Sequence, residues 1–389
     1  MTLDAAAATQ AWMDTLSAEE LALARDYTTG NNWLMLTGLA VAALVTWLIV
    51  RSGVLDKVSA RLGKRGWALR TYLVAATFIL VDAILTLPYA IYSEWWREGQ
   101  YGRSDQPLGD FLLQSGIGIA LSAVVGGLFL LGIYWLIRRA GRLWWLWGGA
   151  LTAGALAFFL LLSPMLIEPL FNDYDPIPEG EVRDAVLALA ADAGVPEDRV
   201  YMFDGSRQSN NFTANVSGVG SGARIAISDV AMGEASLDEV KAVTGHEIGH
   251  YVLGHIWRAV FAFSALAIAV LFLADRFFPA AARIFGSDAE IADIRGVPVL
   301  AFMFSLLMVL ASPLTNTLTR VGEREADAYS MATVGLPDAM AGALIKTAEY
   351  RYPMAGPVEE ALFYTHPTVE SRVRAAMEWK AANQGASGE

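Results

Sequence analysis

The sequence of 389 residues contains no cysteine and only four histidines. The absence of cysteine excludes disulfide bonds, thiolate metal ligands and a cysteine nucleophile. Any bound metal ion must therefore be held by histidine and carboxylate side chains. Three of the four histidines, His246, His250 and His255, lie within a stretch of ten residues, and this stretch is the first candidate for a site.

Charged residues are also scarce. They make up 17% of the chain, whereas hydrophobic residues make up 55% and the mean hydropathy is +0.40. This composition is too apolar for an ordinary soluble domain and indicates a protein that crosses a lipid bilayer several times. The formal net charge of -12 and the lack of a large basic patch argue against a nucleic-acid partner.

Six apolar runs come close to or exceed the length of about 20 residues that crosses a bilayer. They lie at 33–51, 71–92, 113–137, 144–166, 257–275 and 296–314. Tryptophans stand at the edges of several runs, as aromatic anchors do at the membrane interface. We therefore predict a predominantly α-helical polytopic membrane protein with about six transmembrane helices.

The apolar runs also divide the chain into segments. We expect a polar N-terminal segment at 1–32, a four-span membrane domain at 33–166, a soluble insertion at 167–255, two transmembrane helices at 256–315, the C-terminal part of a catalytic domain at 316–382 and a disordered tail at 383–389. Hydrophobic patterning in the insertion predicts a helix at 183–194 and strands at 200–203, 211–217 and 223–228.

A glycine-rich turn joins the last two predicted strands into a small β-ribbon. An exposed edge of this ribbon could bind an extended peptide as an added strand. A hairpin that only packs under the next helix fits the sequence equally well.

The stretch from His246 to His250 reads His-Glu-Ile-Gly-His. On a helix, two histidines four residues apart share one face, so both rings can present a nitrogen to one metal ion. Glu247 is then placed to reach a metal-bound water as general base. Ser236 and Glu239 form a capping box that predicts the start of this helix. The pattern is typical of a zinc hydrolase, although it also arises by accident on ordinary helices.

A group of carboxylates follows the sixth apolar run. Glu323 and Asp327 share a helix face, whereas Glu325 points to the opposite side. We predict that Glu323 is the third ligand and that Asp327 accepts a hydrogen bond from a ligand imidazole. The alternative is a solvated acidic helix face.

The predicted ligands also lie on one side of the bilayer. The helix of His250 is expected to run nearly straight into the fifth apolar run. Because two runs separate His250 from Glu323, both ligand sets emerge on the same side.

These residues resemble those of the type I CAAX prenyl proteases, which are integral-membrane zinc metalloproteases of the gluzincin group. The resemblance covers most of the chain. The motifs that carry it are Ile167-Glu168-Pro169-Leu170-Phe171-Asn172 before Gly180-Glu181, Asp204-Gly205-Ser206, the His246–His250 stretch with Leu253-Gly254-His255, then Asn316, Arg320, Glu323 and Asp327, and finally His366-Pro367 with Arg372.

The resemblance implies a gluzincin-like protease domain with a single Zn2+ ion per chain. The zinc ligands would be His246, His250 and Glu323, and the general base would be Glu247. His366 and Arg372 would stabilise the transition state or position the substrate. Asp327, Arg320 and Asn316 would lie behind the ligands. His255 is expected to be structural, because its offset takes it away from the metal face. Pro367 suits the first position of a helix, which leaves His366 at the cap and free to point into a cleft; a surface histidine is the alternative.

The chain departs from the family in two respects. Members typically have seven spans, whereas six apolar runs are present here. The family often has Asn-Ala-Tyr on its substrate-binding edge, and this chain has Thr213-Ala214-Asn215 at the matching place.

The basic residues favour one orientation in the membrane. Two loops on one side carry Arg51, Lys57, Arg61, Lys64, Arg65, Arg70, Arg138, Arg139 and Arg142, whereas the short segments on the other side carry Arg25, Arg97 and Arg103. Loops rich in Lys and Arg remain in the cytoplasm. We therefore expect an integral multi-pass protein of a bacterial cytoplasmic membrane, with its catalytic face outside the cytoplasm.

The sequence thus predicts a membrane-embedded zinc metalloendopeptidase that acts on peptides or proteins, including membrane-associated ones. The alternative is a catalytically idle membrane scaffold for peptide binding or quality control, although the presence of Glu247 speaks against it. Asp82 lies in the middle of the second run and is expected to face a water-filled cavity or to pair with a neighbouring helix. It also raises the hypothesis of a transporter, which no broken or repeated spans support.

Overall fold

Six long helices dominate the computed structural model, which describes residues 3–218 and 220–383. The candidate membrane spans within these residues are Ala18–Ser52, Trp67–Gln100, Leu108–Arg139, Gly141–Leu166, His255–Phe285 and Ile294–Val334. The prediction of a predominantly helical protein with about six transmembrane helices is therefore confirmed. The tail predicted at 383–389 lies outside the described residues, except for Asn383.

The N-terminal half is built from helices alone. They are α1 Ala5–Met13, α2 Ala18–Ser52, α3 Val54–Arg61, α4 Trp67–Ala90, α5 Arg97–Gln100, α6 Leu108–Leu121, α7 Gly127–Arg139 and α8 Trp144–Leu166. Short π-helical segments at Ile91–Trp96 and Ser122–Gly126 join α4 to α5 and α6 to α7. Each joined pair forms one continuous span.

The first span begins well before its apolar run. Ser17 caps α2 through the backbone N–H of Glu20, and the Glu20 side chain accepts from the backbone N–H of Ser17. The polar residues from Ala18 onward therefore belong to the same helix as the apolar run at 33–51.

Asp82 on α4 lines a cavity of about 390 Å3 within the membrane region. Thr86, Ser115 and Ser122 contribute hydroxyl groups to the same cavity. This placement agrees with the expectation that Asp82 faces a cavity, and the described residues offer its carboxylate no ion pair.

The C-terminal half contains the remaining helices and a sheet. The helices are α9 Glu181–Asp192, α10 Asp229–Glu234, α11 Leu237–Val252, α12 His255–Phe285, α13 Val297–Val334, α14 Pro337–Lys346, α15 Pro357–Phe363 and α16 Val369–Asn383. The strands are β1 Tyr174–Pro176, β2 Val200–Phe203, β3 Ala214–Ser217 and β4 Arg224–Ser228.

The predicted β-ribbon is one part of a larger sheet, whose strand order is β1-β2-β4-β3. Strands β3 and β4 form the predicted antiparallel hairpin, with Asn215 opposite Ala226. In addition, β2 pairs parallel with β4, and β1 pairs antiparallel with β2. The sequence did not predict β1, because three residues that include Pro176 give no strand periodicity.

The sheet holds α11 through a compact apolar core. Ile225 and Ile227 on β4 pack with Val186 on α9 and with Val240 and Ile248 on α11, and all five side chains are buried. Because β3 is an edge strand beside β4, this packing places the open edge of the sheet next to α11.

The helices α11 and α12 are separate, which corrects the expectation of a nearly straight run into the fifth span. Helix α11 ends at Val252, and Gly254 adopts a left-handed conformation with φ of 67° before α12 starts at His255. Only glycine takes up this conformation without strain. The turn directs His255 back toward His250, as described below.

The predicted capping box at the start of α11 is confirmed. Ser236 Oγ accepts from the backbone N–H of Glu239, and Glu239 Oε2 accepts from the backbone N–H of Ser236 at 2.7 Å. Lys346 Nζ on α14 donates to the same carboxylate at 2.9 Å. The start of the helix is thereby fixed both locally and to the C-terminal helices.

Replacing Ser236 with alanine tests the contribution of this cap. The Ser236→Ala variant loses the acceptor for the Glu239 N–H, which costs about 1 kcal/mol. We expect the midpoint of thermal unfolding in detergent to fall by roughly 2 °C. The matched variant Ser236→Thr keeps a hydroxyl acceptor and should unfold close to the wild type; equal loss in both variants would contradict the role assigned to the hydroxyl.

Candidate metal centre and active site

The helices α11 and α13 cross at glycine residues. A Cβ atom on Gly249 would lie 3.1 Å from Ala326 Cα, and a Cβ atom on Gly245 would lie 2.8 Å from Ser330 Oγ. Ser330 Oγ also donates to the carbonyl oxygen of Ala242 at 2.6 Å. The two helices therefore touch nearly backbone to backbone, and this contact sets how closely their side chains meet.

The crossing brings together the three predicted metal ligands. His246 Nε2 lies 3.1 Å from His250 Nε2 and 3.3 Å from Glu323 Oε2, while His250 Nε2 lies 3.4 Å from Glu323 Oε1. One ligand atom from each residue fits within a group whose members lie no more than 4.8 Å apart. Histidine and carboxylate donors in this number suit a catalytic zinc site that keeps one position open.

A buried oxygen that makes no hydrogen bond supports the same interpretation. Glu323 is buried, and within the described residues its Oε2 atom makes no hydrogen bond, although His246 Nε2 lies 3.3 Å and Arg372 Nη2 lies 3.7 Å from it. A bound cation stabilises a buried carboxylate oxygen whose hydrogen-bonding capacity is not met. The residues present therefore fit a divalent metal ion.

Two side chains of opposite charge, Asp327 and Arg372, lie behind His246. Asp327 Oδ1 lies 2.8 Å from His246 Nδ1, and Arg372 donates from Nε and Nη2 to the two Asp327 oxygens at 2.8 and 2.7 Å. Burial alone favours a neutral His246, but the carboxylates of Asp327 and Glu323 outweigh it and raise the pKa of the metal-free ring to about 9. The same negative charges favour a bound cation.

Glu247 lies on α11 between the two histidines and is partly exposed. The surrounding protein atoms keep much of the water away from its carboxyl and thereby raise the pKa of that group above the usual value. Within the described part of the chain, no hydrogen bond engages this side chain. A carboxylate with a raised pKa and no partner is suited to accept a proton from a reacting group.

His366 is brought to the same place from the other end of the chain. Its Nε2 atom lies 3.3 Å from Glu323 Oε1, and its Nδ1 atom lies 3.0 Å from Thr365 Oγ1. Burial lowers the pKa of His366 to about 3, so the ring is neutral and can donate one hydrogen bond.

The expected helix start at Pro367 is wrong. Helix α16 begins at Val369, and Thr368 Oγ1 accepts from the backbone N–H of Ser371 at 3.2 Å. A threonine hydroxyl is a preferred acceptor for a free backbone N–H of the first turn. A helix that started at Pro367 would instead put His366 in this capping position. His366 therefore lies in the segment before the helix.

The structure places Arg320 and Asn316 away from the ligands. Arg320 Nη1 donates to the carbonyl oxygen of Tyr364 at 2.6 Å, and Asn316 Nδ2 donates to that of Leu362 at 2.8 Å. Both side chains thus tether α15 and the residues just after it to α13. Because Tyr364 is two residues before His366, this tether positions His366 indirectly. Arg372, by contrast, donates two hydrogen bonds to Asp327, and its Nη2 atom also lies 3.7 Å from Glu323 Oε2.

The predicted substrate edge lies on β3 and just before it. The backbone N–H of Ser228 donates to the carbonyl oxygen of Thr213 at 2.9 Å, so Thr213 and, by alternation, Asn215 direct their backbone groups toward β4. Ala214 and Val216 direct theirs toward the open edge. The Oδ1 atom of Asn215 is buried without a donor among the described residues.

Sequence reasoning missed the contact that His255 makes. It is not a third histidine ligand, but its Nδ1 atom lies 2.8 Å from the Nδ1 atom of His250. Gly254 could have indicated this contact. A glycine at this place permits a left-handed turn after α11, and the turn directs the side chain of His255 back toward His250.

Comparison with known proteins agrees with this geometry. The family described as "Peptidase family M48" matches residues 176–380, and the one described as "CAAX prenyl protease N-terminal, five membrane helices" matches residues 3–173. Within the latter range, the described residues form four helices that are long and apolar enough to cross a membrane.

Individual relatives extend over most of the chain. The metalloprotease YhfN of Bacillus subtilis is 27% identical over 322 residues, which cover 81% of this chain and 75% of that protein. CAAX prenyl protease 1 homolog of Arabidopsis thaliana is 27% identical over 349 residues, covering 88% and 81%. The crystal structure of S. mikatae Ste24p matches with a TM-score of 0.78 at 20% identity, covering 94% of this chain and 90% of that one, and this shows a shared fold.

The fold and the converging histidine and glutamate side chains define a membrane metalloprotease that resembles the CAAX prenyl proteases. The chain belongs to peptidase family M48. The family implies a metal cofactor, and the group formed by His246, His250 and Glu323 could hold a metal ion.

The close helix crossing yields a direct test. In Gly249→Ala, the added Cβ meets backbone atoms of Ala326 that cannot move aside, so the helices must separate by a few tenths of an ångström. We expect weaker retention of metal during dialysis against a chelator, measured as metal content per chain. Gly233→Ala is the matched control, since a Cβ there meets nothing within 4 Å. Equal metal retention in both variants would contradict this account of the crossing.

Proposed function

We propose that the protein is a zinc endopeptidase that cleaves peptide bonds with a water molecule activated by Glu247. One observation carries the proposal: His246, His250 and Glu323 converge so that one ligand atom of each fits around a single ion. The carboxylate of Glu247 lies on the same helix as the two histidines. The donor set, which lacks thiolates, is typical of a zinc site of the two-histidine, one-glutamate type.

A Zn2+ ion held by these three residues would polarise the scissile carbonyl and lower the pKa of water. Glu247 accepts the proton of the attacking water and passes it to the leaving amine, which its raised pKa favours. The neutral ring of His366 donates a hydrogen bond to the oxygen on which negative charge develops. Arg372 holds Asp327 in place and so fixes the ring of His246.

The open edge of β3 supports binding of an extended substrate. Ala214 and Val216 offer backbone N–H and carbonyl groups to a peptide that adds as a further strand. Pairing through the backbone binds many sequences, because it does not depend on particular side chains. We therefore propose peptide or protein substrates that reach the site at the membrane surface. The relatives named CAAX prenyl proteases make membrane-associated substrates the first to test.

Cleavage of casein or a quenched fluorescent peptide by the purified protein tests this function. Glu247→Gln removes the base but keeps the size of the side chain, and activity should fall at least about 100-fold. Addition of a zinc chelator should abolish activity, and Zn2+ should restore it. Glu181→Gln, an exposed carboxylate on α9, should leave activity unchanged. Activity that survives both the chelator and Glu247→Gln would contradict the proposal.

We also propose that the catalytic face lies outside the cytoplasm of a bacterial cell. The basic loops at the opposite face support this orientation through the positive-inside rule. No native cysteine interferes with labelling, so single cysteines can report each side. Ser104 is buried and is a poor reporter, whereas the Glu179 side chain is 93% exposed on the catalytic side.

A membrane-impermeant thiol reagent applied to intact cells should label Glu179→Cys and should not label Ser52→Cys. Both variants should be labelled after the membrane is permeabilised, which controls for the reactivity of each cysteine. Labelling of Ser52→Cys alone in intact cells would reverse the orientation.

A further inference from the structure

A chain of polar contacts leads away from the metal centre behind His250. The Nε2 atom of His250 faces the other ligands, and its Nδ1 atom lies 2.8 Å from His255 Nδ1. The Nε2 atom of His255 lies 2.9 Å from Glu325 Oε2. Arg258 Nη1 donates to the same Glu325 oxygen at 2.5 Å. The contacts therefore run from the metal face of α11 to a carboxylate on α13.

These contacts fix the positions of two protons. A histidine that binds a metal through Nε2 has no proton on that atom, so the neutral ring of His250 carries its proton on Nδ1. His255 Nδ1 must then accept this proton in a hydrogen bond. Neutral His255 consequently carries its own proton on Nε2 and donates it to Glu325. The carboxylate of Glu325, which is the last group in this series of contacts, thus selects the tautomer of both histidine rings.

The ring of His255 is closely packed and has mainly apolar neighbours. The ring packs against Gly322 on α13, where a Cβ atom would lie 3.4 Å from His255 Nδ1. A cavity of about 270 Å3 adjoins His250 and His255, and it is lined mainly by apolar residues of the membrane helices, such as Leu160, Ala259, Ala262, Phe263 and Leu318. Low polarity around the two rings strengthens the hydrogen bond between them.

The two histidine ligands are therefore supported in different ways. Asp327 stands directly behind His246, whereas a second histidine stands between His250 and its carboxylate. Outer partners of this kind orient a ligand ring and raise its basicity, and their loss typically lowers metal affinity about 10-fold to 100-fold.

We propose that His255, oriented by Glu325, is a positioning residue that holds His250 in the tautomer able to bind metal and so sets the metal affinity of the site. The inference rests on the proposed function, because it requires a metal ion at His250. It assigns a role to a histidine that does not belong to the group of candidate ligands. It also assigns one to Glu325, the carboxylate on α13 that faces away from Glu323 and Asp327.

Zinc affinity, measured by competition with a chromophoric chelator, tests the proposal. His255→Phe keeps a ring but removes the acceptor, and we expect a 10-fold to 100-fold weaker affinity. His255→Asn restores an acceptor oxygen near the position of Nδ1 and should recover most of the affinity. Metal-free His255→Phe should unfold at the temperature of the metal-free wild type, which separates ligand positioning from a merely structural role.

Substitutions of Glu325 provide a second route that does not alter the ring of His255. Glu325→Ala removes the acceptor for His255 Nε2 and should weaken zinc binding, whereas Glu325→Gln keeps an acceptor oxygen and should retain it. This pair decides the matter if His255→Phe does not fold. Wild-type affinity in both His255→Phe and Glu325→Ala would overturn the inference while leaving the proposed function intact. A wild-type protein that binds no zinc would instead overturn the proposed function, and this inference with it.

Discussion

The close crossing of α11 and α13 is the contact on which the rest of the site depends. Gly245 and Gly249 let α11 approach Ala326 and Ser330 at distances that any side chain would prevent. At this separation, His246 Nε2 and His250 Nε2 lie 3.3 and 3.4 Å from the Glu323 oxygens. The sheet core buttresses α11 from the other side, because Val240 and Ile248 are buried against β4 and α9. The three candidate metal ligands are thus carried by two packed helices.

The membrane and the metal centre share structural elements. Helix α13 lies within the sixth candidate span and carries Glu323 and Asp327 after its apolar part. Helix α11 meets the fifth span at the turn of Gly254. The short α15 and the residues after it are tied to α13 by Asn316 and Arg320, which brings His366 to the cleft. The proposed binding of a peptide at the edge of β3 would therefore bring it to the site close to the membrane surface.

Much of this architecture follows from local patterns in the sequence. The spans follow from long apolar runs, α11 from its capping box and the ligand pair from a spacing of four residues. Glu323 could be predicted because it follows the sixth apolar run, shares a helix face with Asp327 and emerges on the same side of the bilayer as His250. The roles of Arg320 and Asn316 could not, since their partners are backbone carbonyls about 45 residues away. The contact between His250 and His255 likewise depends on a turn conformation that helical periodicity does not reveal.

The central claim is that Glu323 completes a metal site with His246 and His250. Metal content per chain, measured by elemental analysis of the purified protein, tests it most directly. The wild type should hold about one zinc ion per chain, and Glu323→Gln should lose it. Glu378→Gln makes the same chemical change at an exposed residue on α16 and should retain the metal. A Glu323→Gln protein with wild-type zinc content would contradict the account.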